Sequence, residues 1–175
     1  MTIYEVPHKN WNFGDTLLGT GNFGIVIKGT VEVGSRKSII AIKTIKSPDD
    51  IVDFKTTLLE LKIMAHIGHH HHVVKLVAAS TDEIQKRKVL IGVEFCANGS
   101  LLSYMQKRKR LFTNNVHDGC IHFSNENNAE MVDGVYDNLI TSDISTLDLY
   151  KWSFQIACGM KFLESKNLVY SRGNL

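Results

Sequence analysis

Five residues have types and a spacing that could hold a phosphorylated ligand. Gly19, Gly21 and Gly24 stand in the run Leu18-Gly19-Thr20-Gly21-Asn22-Phe23-Gly24-Ile25-Val26. Glycines let backbone amides approach phosphate oxygens with no Cβ in the way. By itself the run is weak, because an ordinary glycine-rich hairpin has the same composition. In a dinucleotide-binding fold the third glycine opens a helix. Here the residues after Gly24, Ile25-Val26-Ile27-Lys28-Gly29-Thr30-Val31, are β-branched and read as a strand. The glycines therefore belong to a strand–turn–strand hairpin that could lie over phosphates. Lys43 ends the run Ile40-Ala41-Ile42-Lys43, 19 residues after Gly24. A strand lysine among apolar neighbours either meets a partner or snorkels to solvent. Glu60 comes 17 residues later on a predicted helix. Alone it reads as a solvated helix carboxylate. Paired with Lys43 it would hold the ammonium against α- and β-phosphates. Each element is common; the three in this order and spacing are specific.

Other reactive residues point less sharply. His66 and His69–His72 form a dense cluster. Zinc ligands must converge, whereas adjacent residues in an extended loop diverge, so the cluster reads as a loop and no metal site is expected. Cys96, Cys120 and Cys158 are odd in number and irregularly spaced. They read as reduced thiols in an intracellular protein. Tyr136-Asp137-Asn138 places Asn two residues after a tyrosine. Once phosphorylated, it would fit an adaptor Src-homology-2 domain, which captures phosphotyrosine with an Arg. The alternative is an unmodified loop tyrosine.

The elements that must position these residues are legible. Phe13–Leu18 and Ile25–Val33 flank the glycine-rich turn, and Ser38–Ile45 is a third β-rich run. Gly34-Ser35 marks a hairpin. Ser47-Pro48-Asp49-Asp50 carries helix-opening residues, and Ile51, Phe54, Leu58, Leu61 and Ala65 then recur at helical spacing. Val73–Ala79 and Val89–Phe95 are two more strand candidates. Asn98-Gly99-Ser100 precedes a short helix over Leu101–Lys107. Thr113–Asp143 holds six Asn, six Asp or Glu and no Lys or Arg, and reads as a surface insert, largely disordered. Ser145 and Thr146 can cap a long helix with the stripe Leu149, Trp152, Ile156, Met160 and Leu163.

Composition closes off whole classes. A hydrophobic fraction of 43% over 175 residues excludes wholesale disorder. The net charge of +2 gives no argument for nucleic acid or a membrane surface. That balance conceals an insert of −6 against +8 elsewhere. No run of 18 apolar residues exists, so no membrane span is expected, and the first residues lack the apolar core of a signal peptide.

With these segments assembled, the sequence resembles a protein kinase small lobe. More narrowly, it resembles a receptor tyrosine kinase with a split kinase domain, of the vascular endothelial and platelet-derived growth factor receptor type. The likeness rests on Leu18–Gly24 with Val26, on Glu60-Leu61-Lys62-Ile63-Met64-Ala65-His66-Ile67 running on to Leu76, on Gly92–Leu101, and on Ser153–Leu163. It implies an α+β fold: a five-stranded antiparallel sheet with one regulatory helix, then the first helices of an incomplete large lobe. The segments would be 1–12 (N-terminal), 13–96 (small lobe and hinge), 97–112 (start of the large lobe), 113–143 (kinase insert), 144–169 (long helix) and 170–175 (catalytic-loop position).

The resemblance also implies roles. Gly19, Gly21 and Gly24 would cover phosphates, and Lys43 would reach them, paired with Glu60. Leu18, Val26 and Ala41 would clamp adenine. Val93 would be the gatekeeper, Glu94 and Cys96 would offer backbone hydrogen bonds, and Gly99 would keep the pocket mouth open. Met64 and Leu76 would join a stacked hydrophobic column. ATP and Mg²⁺ would be the family's cofactors, receptor dimerisation and phosphotyrosine adaptors its partners, and the cytoplasmic side of a single-pass receptor its place.

The likeness breaks at the end. The family's catalytic loop reads His-Arg-Asp-Leu-x-x-x-Asn. Tyr170, Ser171 and Arg172 stand at the first three of those positions. Arg172 stays protonated and has no acceptor, so it cannot orient a substrate hydroxyl as the Asp does. The 175 residues contain no Asp-Phe-Gly, whose Asp would hold Mg²⁺. The expectation is a chain truncated at its catalytic loop and catalytically inactive. The alternatives are a pseudokinase-like nucleotide- or partner-binding module and a non-functional fragment.

Overall fold

A computed structural model describes residues 3–21, 24–47, 49–109, 112–121 and 144–167. The chain divides into two units, 1–96 and 97–175.

The first unit is a five-stranded antiparallel sheet with one helix. β1 (Trp11–Thr20), β2 (Gly24–Val33), β3 (Arg36–Ile45), α1 (Ile51–Ile67), β4 (Leu76–Ser80) and β5 (Leu90–Glu94) follow in that order. The sheet order is β1-β2-β3-β5-β4. β2 and β3 meet at Gly34-Ser35. Gly34 takes φ +60° at the first central position, which a tight hairpin turn needs and glycine supplies without strain.

Period-2 alternation gives the sheet two apolar faces. One packs Ile45, Ile91, Leu76 and Ala79 against Leu61 of α1, with Met64, Phe54 and Leu58 partly buried around them. The other gathers Val6, Trp11, Val31, Ile40, Ile42, Ala78 and Leu90. α1 opens where the capping residues predict. The Asp50 carboxylate accepts hydrogen bonds from the amides of Val52 and Asp53. Met64 packs against the cluster that holds Leu76.

The N-terminal segment does more than the sequence shows. The Val6 amide donates to the Ala79 carbonyl at 2.8 Å, and the Ala79 amide donates to the Tyr4 carbonyl at 2.7 Å. These bonds cover the open edge of β4. Trp11 is buried, and its indole N–H donates to the Val6 carbonyl at 3.0 Å. The first strand therefore begins two residues before the Phe13 expected from alternation.

The second unit holds α2 (Leu101–Arg108), a two-stranded ribbon of β6 (Val116–His117) and β7 (Cys120–Ile121), and α3 (Thr146–Ser165). Ser145 and Asp148 form a capping box at the start of α3. Thr113 bridges Ser145, and its amide donates to the Ile144 carbonyl at 2.8 Å. The ribbon occupies the first residues of the acidic stretch. Residues 122–143, including Tyr136, lie outside the described residues, as do Tyr170, Ser171 and Arg172. The predicted stripe of α3 is only partly covered. Trp152 packs edge-on against Tyr104, whereas Ile156 and Met160 are exposed. Among the described residues, no helix is long and apolar enough to cross a membrane.

Candidate functional site

The expected residues of the first unit come together on the α1 side of the sheet. The register pairs Val26 with Lys43, Lys28 with Ala41, and Ala41 with Val93. Paired residues share a face, so Val26, Ala41, Lys43 and Val93 line one surface. Ala41 is buried and Val26 and Val93 are half-buried. Leu18 is exposed in β1, where the register with β2 shifts between Leu17 and Gly19.

The glycine-rich run is a hairpin between β1 and β2, as predicted. Thr20 pairs with Ile25, and the Gly21 amide donates to the Gly24 carbonyl at 2.9 Å. The three glycines differ in what the fold asks of them. A Cβ on Gly24 would meet the Thr44 carbonyl oxygen at 2.6 Å, so packing excludes any side chain there. A Cβ on Gly19 would meet nothing within 4 Å, and one on Gly21 only the Gly24 carbonyl oxygen at 3.9 Å. Neither takes a positive φ. Among the described residues, nothing accounts for Gly19 and Gly21, and a ligand's close approach to the backbone would explain both.

Lys43 forms an ion pair with Glu60 of α1. Its Cε lies 3.5 Å from the place of a Gly24 Cβ, so the ammonium is held beside the glycine hairpin. Both side chains are partly open to solvent. Pairs of that kind add little to stability, so stability is a poor reason for this one. The arrangement presents a fixed cation next to backbone amides, which suits a polyphosphate.

β5 leads into the segment expected to meet adenine. Glu94 is fixed at its start: its amide donates to the Lys75 carbonyl at 3.0 Å, and its carboxylate accepts from the Lys75 amide at 2.9 Å. The Cys96 side chain is exposed. Desolvation, and then the Glu94 carboxylate, push its thiol pKa above the ordinary value. Cys96 is therefore a poor nucleophile, and the backbone is what it has to offer. Gly99 lies in the second unit at φ +73°, in the turn before α2, with nothing within 4 Å of a Cβ.

The histidine rings meet in pairs. Rings alternate, His69 with His71 at 5.4 Å and His70 with His72 at 5.5 Å between centroids. Among the described residues, no three His, Cys, Asp or Glu side chains are grouped as a metal would need.

Comparison with known proteins settles the family. A family model described as protein tyrosine and serine/threonine kinase matches residues 14–172. The chain belongs to that family. Its sheet and single packed helix are a kinase small lobe, followed by the first helices of a large lobe. Vascular endothelial growth factor receptor 1 of Mus musculus is 29% identical over 95% of this chain and 15% of its own length. The tyrosine-protein kinase receptor torso of Bombyx mori is 30% identical over 88% of the chain and 20% of its own length. The receptor Kit of Takifugu rubripes is 25% identical over 95% of the chain and 21% of its own length. The receptor tyrosine kinase likeness read from the motifs thus holds along nearly the whole sequence. The chain spans about 15% of the length of the vascular endothelial relatives.

ATP serves the family, and a lobe holding it would use these residues. Val26, Ala41 and Val93 would cover the base, the hairpin amides and Lys43 would meet the phosphates, and Glu60 would hold Lys43 in place. The Mg²⁺ that serves the family would screen phosphate charge; no residue in the described lobe is assigned to it. Sequence reasoning missed Lys28, which shares the face of Ala41, and Phe95, which follows Glu94. No local pattern joins them, because they meet across three strands.

Proposed function

We propose that this chain is the nucleotide-facing part of a receptor tyrosine kinase domain, one that binds ATP weakly and does not transfer phosphate. The observation that carries the binding half is the Lys43–Glu60 pair set beside Gly24. Two further glycines that nothing among the described residues accounts for support it. The inactive half rests on the sequence: Arg172 stands where the family has an Asp that accepts or orients the substrate hydroxyl proton. Phosphoryl transfer is positioning plus charge stabilisation, and in this reading Lys43, Glu60 and the glycines serve the positioning of the nucleotide.

In this reading the lobe acts at the cytoplasmic side of a membrane-anchored receptor that dimerises. Residues 113–143 are the kinase insert, and Tyr136 within it is a docking tyrosine for phosphotyrosine-binding adaptors. The Thr113–Ser145 bridge supports the insert, because it closes the chain at the two boundaries of the acidic stretch.

Calorimetric titration of the 175-residue chain with Mg²⁺-ATP tests the binding. A dissociation constant weaker than micromolar is expected, weakened about tenfold further by Lys43→Met. Gly19→Ala should weaken ATP while leaving the melting temperature unchanged or slightly higher, since its Cβ meets open space and alanine lowers unfolded-state entropy. Micromolar or tighter affinity would contradict the weak-binding reading. Phosphate transfer to a tyrosine peptide, abolished by Lys43→Met, would refute inactivity.

A second reading, a partner-binding module, is favoured by one observation. Tyr150, Phe154, Ile156 and Met160 of α3 are all more than half exposed. Concentration-dependent sedimentation of the chain, reversed by Phe154→Ser with Met160→Ser, is its expected signature.

A further inference from the structure

The side chain that follows Glu94 is met by a cation from two strands away. Lys28 Nζ lies 4.7 Å from the centroid of the Phe95 ring. Both residues are half-buried and both belong to the first unit. Lys28 pairs with Ala41 on β3, and Ala41 pairs with Val93 on β5. To reach Phe95 the lysine stem must cross β3 beside Ala41, whose single methyl leaves room. β5 ends at Glu94, so Phe95 is the first residue beyond the ladder's hydrogen bonds. The aromatic face attracts the ammonium electrostatically. On the other side, the Lys75 backbone holds Glu94 through two hydrogen bonds.

We infer that Lys28 is a positioning residue for adenine recognition. It pins the Phe95 ring and so fixes the backbone from Glu94 to Cys96, where a base would be read. This rests on the nucleotide-binding reading proposed above. Lys28 itself stays on the ring and makes no phosphate contact. Base affinity and phosphate affinity therefore separate: Lys28 governs the first, and Lys43 with the glycine hairpin the second.

The test uses the 175-residue chain with Lys28→Met, Lys28→Arg, Phe95→Leu and the Lys28→Met/Phe95→Leu double variant. Amide hydrogen exchange at Phe95 and Cys96 without ligand is the first readout. Lys28→Met and Phe95→Leu should each speed exchange about two- to fivefold, the scale of a partly exposed cation–π contact. The double variant should add nothing to either. Lys28→Arg should match the parent, because a guanidinium also stacks on aromatic rings. Effects that multiply in the double variant, or no change in Lys28→Met, would overturn the contact. The second readout is calorimetric affinity for adenosine and for tripolyphosphate. Adenosine should weaken by the same factor in Lys28→Met, with tripolyphosphate unchanged. Equal loss for both ligands would make Lys28 a phosphate contact and overturn the proposal. If neither ligand binds any form of the chain, the nucleotide-binding reading fails; the positioning of the segment is still decided by exchange.

Discussion

The first unit and the second are built from similar sequence signals, yet only one closes a core. In residues 3–96 the sheet is apolar on both faces and covered on both. Ile40, Ile42, Leu61 and Ile91 are fully buried. In the second unit Ile144 is the one buried hydrophobic side chain among the described residues, while Tyr150, Phe154, Ile156 and Met160 of α3 stand in solvent. The contrast separates two sources of order. Burial of apolar surface dominates folding, and the sheet has it. α2 and α3 lean on what is local: an N-cap each, Ser100 and Ser145, and the edge-on contact of Tyr104 with Trp152. The candidate site follows this division. Lys43, Glu60 and the glycine hairpin belong to the unit that has this core.

The largest expected effect would break that contrast if it failed. Leu61→Ala removes a side chain with no exposed surface and should cost about 2–5 kcal/mol, the range for large-to-small core changes. Met160→Ala, at a residue 65% exposed, should stay within about 0.5 kcal/mol. Urea titration of both variants measures the difference. Comparable losses would mean that α3 is packed as tightly as α1.

The helix caps sharpen the comparison at a smaller scale. Asp50 caps α1 and Ser145 caps α3, and replacing either by Ala should remove about 1 kcal/mol of helix stability. The readouts should differ. α1 packs into the core, so Asp50→Ala should lower the main unfolding midpoint. α3 is mostly exposed, so Ser145→Ala should instead raise amide exchange at Asp148 and Leu149, with little change in that midpoint. A midpoint shift from Ser145→Ala as large as from Asp50→Ala would contradict this division.

Much of the first unit was legible because local signals agreed with tertiary ones. β-branched runs became strands, Asp50 became a cap, and the Lys43–Glu60 spacing became an ion pair. The misses share a cause. Val6 and Trp11 are lone apolar residues in a polar segment; the bond of Val6 to β4, about 70 residues on, explains the first, and the indole's bond to the Val6 carbonyl the second. β4 begins at Leu76 rather than at Val73, because Val73 closes a turn with His70. The β6–β7 ribbon did leave a signal. Asp118-Gly119 takes positive φ at both residues, 51° and 73°, and such a pair is a strong hairpin cue. The acidic composition around it hid the cue. The Lys28–Phe95 contact left none, since two unremarkable residues meet only through sheet order.

The smallest expected effect concerns pH and the turn that leads into β4. The His70 carbonyl accepts from the Val73 amide at 3.1 Å, and His70 Nδ1 accepts from the His72 amide at 3.2 Å. Desolvation, and then the neighbouring His72, His71 and His69, hold the His70 pKa below its ordinary value of 6.5. The folded turn therefore takes up a proton less readily than the unfolded chain. Stability rises with pH wherever the unfolded state binds more protons. The turn should thus be complete above about 6.5 and weaken as pH falls through that value towards the folded pKa. A protonated Nδ1 also loses its acceptor role towards the His72 amide. The site is exposed, so the change is local, and the sheet on either side should not feel it. Amide nitrogen shifts and exchange at His72 and Val73, followed from pH 7.5 to 5, should report loosening. In His70→Gln, whose amide oxygen can accept but does not titrate, the same amides should be flat with pH. A parent chain equally flat would show that proton uptake at His70 has no hold on the turn.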